Sequence, residues 1–360
     1  MKKLIVLILT ATALRSYAQY PRVDIPGSEV RKITSSIVSG QEYELQVLLP
    51  GSHKSSTKKY PVVYLMDSQW DFPLVKSIYG QQYYDGFIPE LIIVGVTWGG
   101  TRPNPDSLRA RDYTPTREER IPHSGGADQF LSFMKNELFP FIETNYKADP
   151  ANRTLLGCSL GGLVTLYTLF TQPELFTGYV AASPAVGWDR ETLYKFEKEF
   201  HLKKLSSPVR LYMTIGDVER SRTAYEKFAA QVTSRNNPLV TIESKILGNT
   251  GHSGTKSETY SRGLQYIFER PRLQLAATLL DKYTGRYESP TGNKIEIKNE
   301  NGNLVLCFSS QNKYILFAEA ETDFYSTAEF FRVYFKPDGE TVEGFRLERY
   351  GGTQFMKKIN

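Results

Sequence analysis

The sequence feature that most constrains the fold is a serine set between two glycines, Gly157-Cys158-Ser159-Leu160-Gly161. The apolar pair Leu155-Leu156 precedes it and a helix-forming segment follows, which predicts a strand, a sharp turn and a helix. Glycines on both sides let the backbone turn tightly and leave the Ser159 hydroxyl exposed. The motif predicts a nucleophilic serine, but five residues alone are a weak signal, so the other reacting groups have to be found elsewhere in the chain.

The first eighteen residues, Met1 to Ala18, have the pattern of a secretory signal peptide. Two lysines precede an apolar run from Leu4 to Leu14, and small residues at positions 16 and 18 precede a cleavage point before Gln19. The run is too short to span a membrane, and no cysteine follows directly after it to carry a lipid anchor. The pattern predicts a periplasmic or secreted protein with no membrane span after cleavage.

Composition argues against several classes of partner and site. Cleavage after residue 18 removes three positive and no negative residues, so the formal net charge falls from +5 to +2. Such a small charge does not favour a nucleic-acid partner. The two cysteines, Cys158 and Cys307, are far apart and lack CxxC or histidine spacing, which argues against a disulfide framework and a zinc site. At 360 residues and 40% hydrophobic content, the chain can form a large core, with or without a smaller second domain.

Strands and helices alternate between residues 60 and 270, which is typical of a mostly parallel sheet covered by helices. Strands are predicted at 61–66, 91–97, 179–182, 209–215 and 240–246, and helices near 128–146, 190–200, 223–234 and 254–269. Upstream, Tyr43 to Val47 alternates in polarity as an edge strand does. The segment from Arg109 to Thr116 is interpreted as a polar loop.

The pattern changes after Pro271. A short connecting helix is predicted from Leu273 to Leu280, and short strands rich in Tyr, Phe and Val follow, separated by turns such as Pro337-Asp338-Gly339. These strands predict a small antiparallel barrel or sandwich. The predicted organisation is therefore a signal peptide at 1–18, an α/β catalytic domain at 19–272 and a small all-β domain at 273–360.

A serine nucleophile needs a base, and the base needs an acid that orients it. In enzymes built on this kind of serine turn, the acid and then the histidine follow the serine along the chain. His252 follows the last predicted strand in a glycine-rich loop, whereas two of the other three histidines precede the serine. Two carboxylates, Asp217 and Glu219, follow the strand before it, and the residue pattern alone leaves both open as the acid.

An oxyanion hole is expected beside the serine, because acyl transfer places negative charge on the carbonyl oxygen of the substrate. The backbone N–H of Leu160, directly after the nucleophile, is one expected donor. The second is expected from Ser68 or Gln69, in the loop after the predicted strand at 61–66. Loss of one such donor typically slows catalysis on the order of a hundredfold or more.

Substrate contacts are predicted from residues that follow the apolar strands. Arg109 and Arg111 offer bidentate forks for an acidic substrate, or they only brace their loop, and both interpretations stay open. Trp70 and Trp188 are expected to line the mouth of the site. No residue pattern calls for a metal or a cofactor, so neither is predicted.

The ordered motifs resemble the putative-esterase branch of the α/β-hydrolase superfamily, which includes siderophore esterases of the enterobactin and ferri-bacillibactin type and also feruloyl and acetyl-xylan esterases. The matching stretches are Val63 to Asp67, Arg111 to Thr116, Phe130 to Tyr146, Gly157 to Gly162, Ser183-Pro184 with Trp188, Gly216 to Glu219, and Gly251-His252. The resemblance implies the α/β-hydrolase fold. It favours Glu219 over Asp217, because the acid of this family commonly lies three residues after a strand-end glycine. Ser68 departs from the pattern, since the family often has glycine there.

The segment from about 275 onward is similar to lipocalin-like C-terminal domains attached to serine hydrolases, on Tyr283 to Tyr287 and Asn303 to Leu306. The expected function is that of an exported serine esterase that acts through an acyl-enzyme on a small-molecule or glycan-linked ester. A siderophore trilactone esterase is the alternative within this class. A non-catalytic ligand- or glycan-binding protein is the alternative from another class, and the sequence makes no prediction of the oligomeric state.

Overall fold

A computed structural model of the chain describes residues 24–202, 204–350 and 352–359. The predicted signal peptide at 1–18 lies outside the described residues. An eight-stranded sheet with helices on both faces is followed by a closed eight-stranded antiparallel barrel. The predicted α/β fold with a mostly parallel sheet and a small β domain is confirmed. Within the described ranges, no helix has the length and hydropathy needed to cross a membrane.

The elements have the following bounds. The sheet strands are β1 Ser28–Thr34, β2 Glu42–Leu48, β3 Tyr60–Leu65, β4 Ile92–Trp98, β5 Ala148–Cys158, β6 Gly178–Ala182, β7 Val209–Gly216 and β8 Val240–Leu247. The helices are α1 Ser68–Tyr84, α2 Pro105–Tyr113, α3 Ala127–Phe133, α4 Phe139–Asn145, α5 Leu160–Thr171, α6 Leu193–His201, α7 Arg222–Ser234, α8 Thr255–Ile267 and α9 Ala277–Tyr283. The barrel strands are β9 Gly285–Glu288, β10 Lys294–Glu300, β11 Asn303–Cys307, β12 Lys313–Ala318, β13 Asp323–Tyr325, β14 Phe331–Asp338, β15 Thr341–Arg349 and β16 Gly352–Lys358.

The sheet has the order β1-β2-β4-β3-β5-β6-β7-β8, with antiparallel pairing from β1 through β2 to β4 and parallel pairing from β4 onward. β4 is buried at every position, as expected for a strand covered on both faces. The prediction that Tyr43 to Val47 forms an edge strand is wrong, because β2 lies between β1 and β4. Its alternation arises because one of its faces is only half covered, while the true edge, β1, is half-buried or exposed throughout.

Two helices in the catalytic region are not predicted from the sequence. α1 contains Pro73, a residue that normally disfavours a helix interior. α2 occupies most of the segment interpreted as a polar loop, so that interpretation is wrong for Arg109 to Tyr113. Its buried face includes the carboxylate of Asp112, so the apolar periodicity that indicates a helix is missing. By contrast, the predicted helix at 128–146 is continuous from α3 to α4 through a π-helical turn, Met134–Leu138.

The barrel docks against the C-terminal end of α1. Arg332 donates a hydrogen bond to the carbonyl of Tyr83 at 3.3 Å, and the ring of Phe330 packs on that of Tyr83 with 5.2 Å between centroids. α1 has 17 residues and is therefore about 25 Å long. α1 begins at the carboxyl end of β3 and runs back along the sheet. The barrel therefore lies near the amino ends of the parallel strands. The predicted short connecting helix at 273–280 corresponds to α9, which begins at Ala277 and ends at Tyr283. The domain boundary at 272 stays a prediction.

Candidate active site

Ser159 lies at the turn between β5 and α5 and has φ 60° and ψ −116°. Such a conformation is rare and strained for a residue with a side chain. A Cβ at Gly157 would lie 2.4 Å from the carbonyl oxygen of Gly161, so the turn requires glycine there. A Cβ at Gly161 would approach a carboxylate oxygen of Asp67 to 3.2 Å. The turn holds Ser159, half-buried, at the carboxyl ends of the parallel strands.

The imidazole of His252 is held by the carboxylate of Glu219, with 2.7 Å between Nδ1 and Oε2. The other oxygen, Oε1, accepts hydrogen bonds from the N–H of Gly216 at 2.8 Å and from the hydroxyl of Ser183 at 2.6 Å. The Glu219 side chain is 6% exposed and that of His252 is 50% exposed. Because Nδ1 is engaged by a carboxylate, Nε2 is the ring nitrogen that remains for proton transfer.

Asp217, the other carboxylate that the sequence left open, contacts the backbone of the histidine loop. Its Oδ1 accepts a hydrogen bond from the N–H of Thr250 at 3.0 Å. The N–H groups of Asn249 and Thr250 lower the pKa of this carboxyl group. Within the described ranges it makes no hydrogen bond to His252. Glu219 is thus the carboxylate that contacts His252, whereas Asp217 binds the backbone of the loop that precedes His252.

The segment that follows β6 anchors the serine turn. The N–H of Ser159 donates to the carbonyl of Ala182 at 3.0 Å, and the N–H of Ala185 donates to the carbonyl of Ser159 at 3.1 Å. No hydrogen bond joins the Ser159 hydroxyl to His252 in the part of the chain that the structure describes. In free enzymes such bonds are often long and tighten only when substrate binds.

Ser183 and Thr255 also belong to this cluster, although no role for them was predicted from the sequence. Ser183 has φ 40°, donates to Glu219, and lies 2.8 Å from the hydroxyl of Thr255. Thr255 in turn donates to the carbonyl of His252 at 2.8 Å. The two hydroxyls therefore link the end of β6 to both the acid and the histidine. The Ser183-Pro184 pair directly after a predicted strand was the available signal for Ser183.

The backbone N–H groups of Leu160, Ser68 and Gln69 at this edge have no hydrogen-bond acceptor among the described residues. All three belong to the first turn of a helix, where N–H groups lack intrahelical partners. The side-chain amide of Gln69 is also buried without a partner within the same ranges. Asp67, directly before Ser68, has φ 55° and donates its N–H to the hydroxyl of Tyr113 at 3.2 Å.

Arg109 binds Asp67 at the start of the predicted oxyanion segment, residues 67–69, which we call the oxyanion loop. Its Nε and Nη2 lie 3.0 and 2.8 Å from the two carboxylate oxygens, and the side chains are 16% and 3% exposed. Burial raises the pKa of Asp67, and the charge of Arg109 opposes that rise. Arg109 also lies over the ring of Trp70 at 5.6 Å, and Trp70 is 49% exposed. These contacts favour the interpretation that Arg109 braces the loop.

Arg111 is similarly engaged by a neighbouring carboxylate. Its Nε and Nη2 lie 2.6 and 3.0 Å from the oxygens of buried Asp112. Asp112 also accepts a hydrogen bond from the indole of Trp98 at 2.7 Å. The indole of Trp188 donates to the carbonyl of Thr116 at 3.2 Å. Trp98 and Trp188 therefore hold the segment 111–116 in place, and Arg111 forms its ion pair within that segment.

Cys158, next to Ser159, is buried in the sheet. Burial raises the pKa of its thiol to about 12. The thiol is therefore protonated at neutral pH, and a protonated thiol is a poor nucleophile. In the described ranges, no group of His, Cys, Asp and Glu side chains has an arrangement that holds a metal ion.

Comparison with known protein families gives two matches, which together cover most of the chain. A family model with the description "Putative esterase" matches residues 35–260, which is more than half of the chain. A second model, described as a domain of unknown function, matches residues 269–358. The first range contains the serine turn, the acid and histidine pair, and both proposed oxyanion segments.

Individual relatives agree with that match. The chain is 31% identical over 229 residues to the ferri-bacillibactin esterase BesA of Bacillus subtilis strain 168, which covers 57% of this chain and 78% of that protein. It is 28% identical over 191 residues to the siderophore triacetylfusarinine C esterase of Aspergillus fumigatus, which covers 51% of this chain and 65% of that protein. The BES protein from Bacillus cereus has a similar structure, with a TM-score of 0.63 and 25% identity over 69% of this chain and 97% of that one. The chain therefore belongs to the putative esterase family of the α/β-hydrolase superfamily, and it is an esterase.

Proposed function

We propose that the protein is an exported serine esterase that cleaves carboxylic esters through an acyl-enzyme, with Ser159 as nucleophile, His252 as base and Glu219 as orienting acid. The observation that carries the proposal is the 2.7 Å contact between Glu219 and His252 on the same sheet edge as the strained serine. The order serine, acid, histidine along the chain also supports it.

The first half-reaction forms the acyl-enzyme. The Ser159 oxygen attacks the carbonyl carbon of the ester while its proton passes to Nε2 of His252, and Glu219 stabilises the resulting imidazolium at Nδ1. The carbonyl oxygen becomes negative and is stabilised by the N–H of Leu160 together with that of Ser68 or Gln69. Collapse of the tetrahedral intermediate breaks the C–O bond to the alcohol, which leaves with the proton from His252.

The second half-reaction releases the acid. Water attacks the acyl carbon and gives a proton to His252, and a second tetrahedral intermediate forms in the same oxyanion hole. Collapse of this intermediate returns the proton to Ser159 and frees the carboxylic acid. The scheme needs no metal or cofactor. Trp70, half exposed beside the oxyanion loop, is the side chain that we propose to contact the substrate first.

Hydrolysis of a siderophore trilactone is the second candidate, and sequence similarity to known siderophore esterases favours it. Two of the relatives described above are esterases that act on siderophores. The charges of Arg109 and Arg111 do not add to this support, because Asp67 and Asp112 engage them. A comparison of kcat/KM for p-nitrophenyl acetate, methyl ferulate, acetylated xylan and a trilactone siderophore decides between the candidates. A kcat/KM for the trilactone above that of every other ester tested establishes the second candidate. A kcat/KM below those of the other esters excludes it.

The proposal of export depends on the sequence of residues 1–18. Sequencing the N-terminus of protein recovered from the periplasm or the medium is the direct test. We expect a mature chain that begins at Gln19. Recovery of the intact chain from Met1, inside the cell only, would overturn the proposal of export and leave the esterase mechanism untouched.

The serine mechanism is tested by Ser159→Ala, with the neighbouring Cys158→Ala as the matched control. Ser159→Ala is expected to lower kcat for p-nitrophenyl acetate on the order of 10⁴-fold or more. Cys158→Ala is expected to keep most of the activity, because the thiol is buried and protonated. Substantial turnover by a folded Ser159→Ala variant would overturn the mechanism. A wild-type protein that binds esters without cleaving them would instead support a non-catalytic binding protein.

A further inference from the structure

A buried ion pair joins the helix that follows the oxyanion loop to the helix that follows the histidine loop. Asp71, in the first turn of α1, accepts hydrogen bonds from the ammonium of Lys256 at 2.7 Å and from the hydroxyl of Tyr260 at 2.8 Å. Lys256 and Tyr260 lie one turn apart on α8. The Asp71 and Lys256 side chains are 4% and 21% exposed, and Tyr260 is fully buried.

The cluster connects the two halves of the proposed machinery by short, rigid segments. Asp71 comes two residues after Gln69, and Lys256 comes four residues after His252. Asp71 and Lys256 are 185 positions apart in the sequence. A shift of α8 relative to α1 therefore moves the histidine relative to the proposed oxyanion donors.

The attachment fixes an orientation as well as a distance. Lys256 binds Oδ1 of Asp71 and Tyr260 binds Oδ2, so both carboxylate oxygens are held by one face of α8. A buried carboxylate needs such partners, because an unpaired buried charge is strongly unfavourable. On its other side the oxyanion loop is held by the bidentate pair of Asp67 with Arg109. The loop is thus clamped between α2 and α8.

We propose that Asp71, Lys256 and Tyr260 are positioning residues that set the distance between the oxyanion donors and His252. We call these three residues the α1–α8 brace. The inference rests on the proposed serine mechanism. Oxyanion donors act mainly on the transition state, so loss of the brace lowers kcat and leaves KM nearly unchanged. A displacement of about 1 Å can slow an enzyme on the order of a hundredfold.

The same domain contains a matched ion pair outside the catalytic edge. Glu197 of α6, with a side chain 1% exposed, binds Arg235 at the end of α7 at 2.8 Å. Like Lys256→Met, the substitution Arg235→Met leaves a buried carboxylate without its cation. If both ion pairs were purely structural, each substitution would lower the stability of the protein and neither would change kcat.

The test compares Lys256→Met with Arg235→Met, each assayed below its own unfolding midpoint. Lys256→Met is expected to lower kcat for p-nitrophenyl acetate at least about tenfold, with KM within about twofold of wild type. It is expected to weaken inhibition by phenylboronic acid by a similar factor, since the serine adduct of a boronate resembles the tetrahedral intermediate. Arg235→Met is expected to change neither value. A folded Lys256→Met variant with normal kcat, or equal losses in both variants, would overturn the inference.

Two further variants test the brace even if Lys256→Met does not fold. Tyr260→Phe removes only the hydroxyl that binds Asp71, and we expect a smaller fall in kcat with KM unchanged. Lys256→Arg keeps the cation and is expected to recover activity relative to Lys256→Met. A normal kcat in Tyr260→Phe together with no recovery in Lys256→Arg counts against the brace. Because turnover by Ser159→Ala reports on the mechanism itself, an inactive Ser159→Ala with a normal Lys256→Met means that only the brace is refuted.

Discussion

Glu219 holds His252 through Nδ1 at 2.7 Å, and the other oxygen of the same carboxylate is held by the backbone of Gly216 and the hydroxyl of Ser183. The carboxylate is nearly buried, so these three donors fix its position before any substrate arrives. The arrangement favours the tautomer with its proton on Nδ1, which leaves Nε2 as the acceptor. This arrangement suits the role of base that we propose for His252.

The acid is tested by comparing Glu219→Gln with Asp217→Asn. An amide in place of the Glu219 carboxylate offers its NH₂ group to Nδ1 and stabilises the wrong tautomer, so we expect kcat to fall on the order of a thousandfold or more. Asp217→Asn alters only a contact with the loop backbone, and we expect a far smaller loss. Steady-state kinetics on p-nitrophenyl acetate decide the question. A loss in Asp217→Asn equal to that in Glu219→Gln would contradict the assignment of the acid.

Arg109 is expected to act on stability rather than on substrate charge. Arg109→Met leaves Asp67, with a side chain 3% exposed, without its cation, and we expect the free energy of unfolding to fall by about 3 kcal/mol. Urea denaturation measures that fall. The KM of an ester with a free carboxylate should change no more than that of neutral p-nitrophenyl acetate. A selective rise in KM for the acidic ester, at unchanged stability, would show that Arg109 binds substrate instead.

The thiols give a prediction on pH dependence. Burial raises the pKa of Cys158 to about 12 and also raises that of Cys307, so both thiolate fractions at pH 8 are lower than for an exposed cysteine. Alkylation of the native protein by iodoacetamide should be slow at pH 8 and should rise with pH without levelling off near 8.5. Denaturant should expose two reactive thiols. Rapid alkylation of Cys158 at pH 8 would contradict the raised pKa.

Docking of the barrel is predicted to support stability and not the reaction on small esters. Phe330 is 7% exposed and packs on Tyr83, so Phe330→Ala should lower the free energy of unfolding by about 3 kcal/mol. The contact lies at the far end of α1, about 25 Å along the helix from the oxyanion loop. We therefore expect kcat for p-nitrophenyl acetate to stay at the wild-type value. A fall in kcat in the folded variant would mean that the barrel acts on the site.

The parallel strands were predictable because burial on both faces leaves a continuous apolar run, as in β4. The helices α1 and α2 were missed because neither presents that kind of signal: one carries Pro73, and the other buries Asp112. A local start signal for α2 was present. Asn104 caps it by accepting from the N–H of Ser107 at 3.2 Å, and proline occupies its first position.

In the candidate site as well, the sequence predicted the features that depend on local motifs and chain order. It did not predict contacts between residues far apart in the chain. Chain order predicted Ser159 and His252 and reduced the acid to two carboxylates two residues apart. The choice between them depends on a turn after β7, where the N–H of Glu219 donates to the carbonyl of Gly216 at 3.2 Å. The ion pair between Asp67 and Arg109 spans 42 positions, and the pair in the α1–α8 brace spans 185. No local pattern encodes partners at such separations.

The most direct test of the serine mechanism is to react the folded protein with a fluorophosphonate and locate the adduct by peptide mass spectrometry. The Ser159 oxygen attacks phosphorus, fluoride leaves, and His252 takes the serine proton. We predict one adduct, on Ser159, that forms far more slowly in Glu219→Gln and is absent from Ser159→Ala. An adduct on another residue, or none in a protein that still hydrolyses p-nitrophenyl acetate, would contradict the mechanism.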